Sequence, residues 1–182
     1  MTSLRLMAPM AAVALLAACA GTDMNPMSML SSGGAKAVAQ LKPTQGSTAA
    51  GTVEFMQQGD EVMVNARLTG LKPNQDHGFH IHEKGDCSSP DAMSAGGHFN
   101  PTNSPHGPQS GPHHAGDIPN LKADANGNAQ GSFHMSGVSI GSGGAGDIVG
   151  KGLVVHGNPD DYASQPAGNS GPRIACGVIS KG

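Results

Sequence analysis

The sequence has no tryptophan, one tyrosine and four phenylalanines, so it offers few rings on which bases could stack. With ten Lys and Arg against thirteen Asp and Glu, it also has no basic excess to neutralise phosphates. Nucleic acid is excluded as a partner. Large apolar side chains are scarce as well. Leu, Ile, Val and Phe number 10, 6, 10 and 4, together 30 of 182 residues, below the roughly 20 % that accompanies a self-sufficient core. A disordered chain would combine that poverty with a high net charge, whereas the formal net charge here is only −3. The reading is one folded domain held by something besides apolar burial. No Ser or Cys nucleophile has an elbow motif or a paired base.

No apolar run is long enough to span a bilayer as a helix, since the longest, 6–18, has thirteen residues against a need of about 20. Preceded by Arg5, it reads as a secretory signal, and Leu16-Ala17-Ala18-Cys19 resembles the lipobox of bacterial lipoproteins. The expected organisation is a signal peptide at 1–18, a lipidated Cys19 with a flexible tether over 19–34, and one domain at 35–182. Contact with a membrane would come only through that anchor. An ordinary secretory leader cut near the same small residues leads to the same place, the periplasm or cell envelope. In such an oxidising compartment the two remaining cysteines, Cys87 and Cys176, are expected to pair. Methionines at 24, 27 and 29 in the tether offer soft thioethers that could capture Cu(I), although scattered methionines in a tail usually have no role.

Short segments with strand character follow the tether, at 35–41, 51–57, 61–69, 76–82, 116–123, 129–135, 146–156 and 173–179. The clearest is Val62, Val64, Ala66 and Leu68 alternating with Met63, Asn65, Arg67 and Thr69, the period of a strand with one buried face. Gln58-Gly59-Asp60 and Asn126-Gly127 are hairpin turns. No helical period of comparable length occurs, so the expectation is all-β, a sandwich or barrel. Two stretches without strand pattern, 83–116 and 157–172, each follow a segment that ends in histidine. Loops this long are usually functional.

In Phe79-His80-Ile81-His82 the two imidazoles leave the same face of a strand, and His156 repeats the arrangement on another. Several imidazoles in one roughly planar set favour copper. The first long loop supplies His98, His106 and His114 and leads into Asp117. Three imidazoles and one carboxylate with no open position make a closed zinc site, which would order a loop poor in apolar residues. His77, His113 and His134 are read as surface residues.

Five stretches, GFHIHEKG at 78–85, GHFNP at 97–101, HAGD at 114–117, GKGLVVH at 150–156 and GPRIACGV at 171–178, resemble the bacterial copper,zinc superoxide dismutases. The resemblance implies an eight-stranded Greek-key flattened barrel, classed with Ig-like sandwiches. It also implies conversion of superoxide to dioxygen and hydrogen peroxide by Cu(II)/Cu(I) cycling. It assigns His80, His82 and His156 to copper, His106, His114 and Asp117 to zinc, and His98 to both as a shared imidazolate. It makes Arg173 the guide for the anionic substrate, Asp160 a carboxylate linking a copper ligand to a zinc ligand, and Cys87–Cys176 the disulfide. Relatives include monomers and dimers, which leaves a homodimer open. Relatives outside bacteria carry charged steering residues in the second loop, whereas here that loop has none of Lys type, and Lys84 and Lys151 are the nearest lysines. The competing function is an extracytoplasmic copper storage or delivery protein, which accounts for the copper set alone.

Overall fold

Alternating apolar residues and Gly-rich turns produce eight strands among the residues, 34–182, that the computed structural model describes. They are β1 (Lys36–Pro43), β2 (Ala50–Gln58), β3 (Glu61–Thr69), β4 (Asp76–His82), β5 (Asp117–Lys122), β6 (Ala129–Ser136), β7 (Gly152–His156) and β8 (Arg173–Lys181). The expected signal peptide, Cys19 and the expected tether up to residue 33 lie outside the described residues. All pairings are antiparallel, in the order β5-β4-β7-β8-β1-β2-β3-β6. The crossed neighbours β4–β7 and β3–β6 give the Greek-key connections. The end strands β5 and β6 meet through an Ala123–Ala129 bridge, so the sheet curls into a nearly closed barrel, as expected.

Every second residue of β1 to β3 enters the interior: Ala37, Ala39 and Leu41, Val53 and Phe55, then Val62, Val64, Ala66 and Leu68. From the other wall come Phe79, Ile81, Leu153, Val155 and Ile179. Small alanines on β1 let the bulk of Phe55 and Phe79 fill the barrel without overpacking. A second, smaller cluster of Ala92, Ala95, Val154 and Cys176 lies outside the barrel, with Cys87 packed against it. The first long loop therefore buries more than its composition suggests. Within it Met93–Ala95 forms a single 3-10 turn.

Two expectations need correcting. The segment 146–156 is strand only over Gly152–His156. Asp147 captures the backbone N–H groups of Gly141, Gly143 and Val149 at 2.8–3.0 Å, which fixes the preceding residues as a turn although Ile148 is buried. His77 is not on the surface. It is 1 % exposed, its Nδ1 2.8 Å from the carbonyl of His156 and its Nε2 3.4 Å from that of Lys72. His134 is exposed and His113 half-buried, turned to the carbonyl of Gly111.

Candidate metal centre

The site lies where β4 and β7 run side by side. Their register sets His80 opposite Val154, that of β4 and β5 sets His80 opposite Asp117, and His156 pairs with Arg173 at a bulge between β7 and β8. Four histidines or carboxylates thus start from three adjacent strands. The first loop is stitched to the end of β4. Glu83 donates to Gly97, Phe99 to Ile81, Ile81 to Gly116 and Gly116 to Phe99, all at 2.8–2.9 Å, and His98 bridges to His82. A side chain on Gly116 would collide with the carbonyl of Ile81, so this lacing depends on glycine there.

The donor atoms converge in two groups. His80, His82, His98 and His156 each offer one nitrogen, all within 4.8 Å of one another, and so do His98, His106, His114 and Asp117 with their nitrogens and carboxylate. His98 belongs to both. Its Nδ1 lies 2.8 Å from Asp117 Oδ1 and 3.4 Å from His114 Nδ1, while its Nε2 is buried without a hydrogen-bond partner. One ring therefore presents one nitrogen to each group.

Neighbouring groups fix the remaining rings. His82 Nδ1 donates to the carbonyl of Gly96 at 2.9 Å and His156 Nδ1 to that of Gly171 at 3.3 Å. That orientation leaves the lone pairs of His82 Nε2 and His156 Nε2 facing each other at 3.4 Å, a repulsive contact that a cation between them relieves. Asp160 is buried and divides its carboxylate: Oδ2 lies 2.7 Å from His80 Nε2 and Oδ1 2.9 Å from His106 Nε2. Of the other nitrogens of those rings, His80 Nδ1 has no hydrogen-bond partner, while His106 Nδ1 faces Asp117 Oδ2 at 3.0 Å. An orphaned buried polar atom costs about 1–3 kcal/mol, and His80 and His98, whose free nitrogens are such atoms, both belong to the donor groups. The residues fit two cations, an all-imidazole set suited to copper and a three-imidazole, one-carboxylate set suited to zinc.

The electrostatics agree. Burial lowers His80 from the ordinary 6.5 to about 4, opposed by its hydrogen bond to Asp160, and lowers His156 to about 3, helped by the charges of His80 and His98. Burial also holds His82 well below the ordinary value. These rings are neutral ligands at neutral pH. His106 behaves oppositely: burial pulls it down, but Asp117 and Asp160 together raise it to about 9. Burial tends to raise both carboxyls, and the hydrogen bonds from the histidines hold Asp117 and Asp160 well below the usual carboxylate range.

Arg173 flanks a cleft of about 330 Å³ together with His82, His98, His114 and His156. Its guanidinium is held by two carbonyls of the first loop, Ala92 at 2.7 Å and Gly96 at 2.6 Å. Ala92 belongs to the small cluster around the disulfide of Cys87 and Cys176, which closes a separation of 89 residues. Lys84 is exposed and is not among the residues lining the cleft.

Several supporting residues carry no motif. Gln165 accepts from the backbone N–H of His106 and donates to its carbonyl, both at 2.8 Å. Asn120 does the same for Asp160 at 2.8 and 2.9 Å. Gly168, at φ +63°, lies against Asp160 Oδ1 and 2.7 Å separates His106 Nε2 from where its Cβ would stand. His77 could have been found: it shares the parity of Phe79 and Ile81, the inward residues of β4.

An all-β barrel whose strands and first loop bring seven donors into two groups around one shared imidazole defines a metalloprotein with two adjoining cation sites. The chain belongs to the copper/zinc superoxide dismutase family, which it matches over residues 49–179. It is 43 % identical over 150 residues to a Cu-Zn superoxide dismutase of Aquifex aeolicus, covering 79 % of this chain and 86 % of the relative. It is 40 % identical over 138 residues to a superoxide dismutase-like protein of Bacillus subtilis, covering 72 % of this chain and 69 % of the relative. The crystal structure of a SOD-like protein from Bacillus subtilis superposes with a TM-score of 0.71 at 38 % identity, covering 78 % of this chain and 96 % of that one. The activity is superoxide dismutation and the cofactors are copper and zinc.

Proposed function

We propose that His80, His82, His98 and His156 hold the copper and His98, His106, His114 and Asp117 the zinc, with His98 common to both. The observation that carries this is the single His98 ring with one nitrogen in each donor group. Bound copper supplies one-electron chemistry, superoxide being oxidised to dioxygen in one turn and reduced to hydrogen peroxide in the next, while zinc supplies a fixed charge. The protein's own part is positioning and proton handling. His98, anchored through Nδ1 beside Asp117 and His114, can take a proton on Nε2 and return it to the reduced product without leaving its place. Arg173 offers a permanent cation and a donor fork at the cleft, where a small anion is drawn in. Asp160 fixes the tautomer of His80 and His106 by accepting from both rings, and His77 steadies β7 at the carbonyl of His156.

The sequence supports an extracytoplasmic domain, in the periplasm or cell envelope, tethered through a lipidated Cys19. The disulfide fits an oxidising compartment. Superoxide is the substrate and a second copy of the chain the only protein partner envisaged.

The test is His98→Ala, read by metal analysis, electronic spectra and a dismutase assay. Activity falls by at least the roughly 10–100-fold that follows loss of a residue merely orienting a ligand, since here a ligand itself is lost, and the spectrum of the copper set no longer responds to zinc. Unchanged activity and spectra would remove the shared ring from the reading.

A further inference from the structure

Half-way round the barrel from β4 and β7 in the strand order, the register aligns three side chains for which dismutation has no use. Met56 of β2 is the direct partner of Met63 of β3, and Met63 that of His134 of β6. Direct partners in antiparallel strands project from one face with Cβ atoms about 4.5–5.5 Å apart. The face is the outer one, because the intervening Phe55, Val62, Val64 and Met135 are buried in the core while Met56 and Met63 are half-buried and His134 is exposed. The Met63 thioether is turned to the polar side, its Sδ 3.7 Å from the Gln58 amide that donates to it. Glu61 lies 3.3 Å from His134 Nδ1, which leaves Nε2 as the ring's second donor atom.

Two thioethers and an imidazole on one rigid sheet form a soft, uncharged donor set. Such a set prefers monovalent copper to zinc or to hard cations. We infer that Met56, Met63 and His134 form a surface site for Cu(I), separate from the two donor groups of the metal centre. The site has three donors from three hydrogen-bonded strands and lies open to solvent, so it binds copper reversibly and in the reduced state, on a wall that substrate does not visit. The inference is independent of which residues hold copper and zinc in the metal centre.

The experiment uses the full chain already loaded with copper and zinc. Cu(I) is added without oxygen, in competition with a chromophoric Cu(I) chelator. Wild type takes up one equivalent more than the Met56→Leu/Met63→Leu variant, the added copper has sulfur neighbours in its X-ray absorption spectrum, and the two proteins have equal dismutase activity. Leucine conserves volume, so the sheet stands. His134→Ala removes one of the three donors and shifts the competition for the added Cu(I) towards the chelator. Equal uptake by wild type and the double variant overturns the inference. So does a spectrum with nitrogen and oxygen neighbours alone, or a Zn(II) titration that fills the same site with the same dependence on Met63.

Discussion

In β3, Val62, Val64, Ala66 and Leu68 face the core and the residues between them face outwards, whereas in β4 every residue from His77 to His82 is buried. The wall of β1, β2, β3 and β6 stands on one apolar face and leaves the other to water. The wall of β4 and β7 has a second buried face made of imidazoles, and only the two long loops cover it. Those loops are held by backbone lacing to β4, by side-chain clamps from Asn120 and Gln165, and by a disulfide. The plain wall supplies folding energy and the covered wall supplies chemistry, at the expense of burying polar groups that need partners or ions.

The disulfide is the largest lever on that difference. Cys87→Ser is expected to lower the unfolding free energy by about 2–5 kcal/mol, and in hydrogen exchange the protection lost first lies in residues 83–96 rather than in β1–β3. Equal loss across both walls would break the contrast. Asp160→Asn removes the carboxylate shared by His80 and His106, so metal retention against a chelator should fall by about 10–100-fold with the apolar wall unaffected. Retention equal to wild type would show that the rings need no such support.

Acidity sharpens the comparison in the metal-free protein. His80 and His156 have folded values of about 4 and 3 against an ordinary 6.5, so between 6.5 and 4 the unfolded chain binds more protons. Their contribution is intact above pH 6.5 and is lost as the pH falls. His106, raised to about 9, has the opposite sign: its contribution is full below 6.5 and is lost as the pH rises towards 9. Thermal unfolding of the metal-free chain should therefore peak near pH 6.5 and decline on both sides. A midpoint that rises steadily from pH 6.5 to 5 would contradict the neutral state of the buried rings. The smallest effect concerns Lys84, exposed beyond the cleft. Lys84→Glu should slow dismutation by roughly two- to threefold at low ionic strength and not at high, the mark of long-range steering. A rate indifferent to the change leaves Arg173 as the guide.

The plain wall was legible because its period of two is decided locally: 61–69 is strand to the residue. The donor residues were legible because chelation constrains residue type and spacing, as in His80 and His82. Less could be read where a contact joins distant segments. Gln165 and Asn120 act through amides that any loop could contain, and their value exists only once residues 157–172 fold onto 106 and 117–122. His77, expected at the surface, is buried because its two nitrogens are satisfied by carbonyls from β7 and the turn before β4, contacts that lie far apart in the chain or outside the strand pattern. The strand expected from Gly146 begins only at Gly152, because Asp147 draws three amides to itself and fixes a turn there.

The bare backbone at Gly168 sets how tightly the second loop can close. A single added carbon there would have to displace Asp160 Oδ1 and crowd the His106 ring, and the left-handed φ of +63° would burden any replacement further. His106 and the carboxylate beneath it are thus packed against a piece of chain with nothing protruding from it. Any larger residue at this one position would pry the second loop away from the carboxylate that His80 and His106 share.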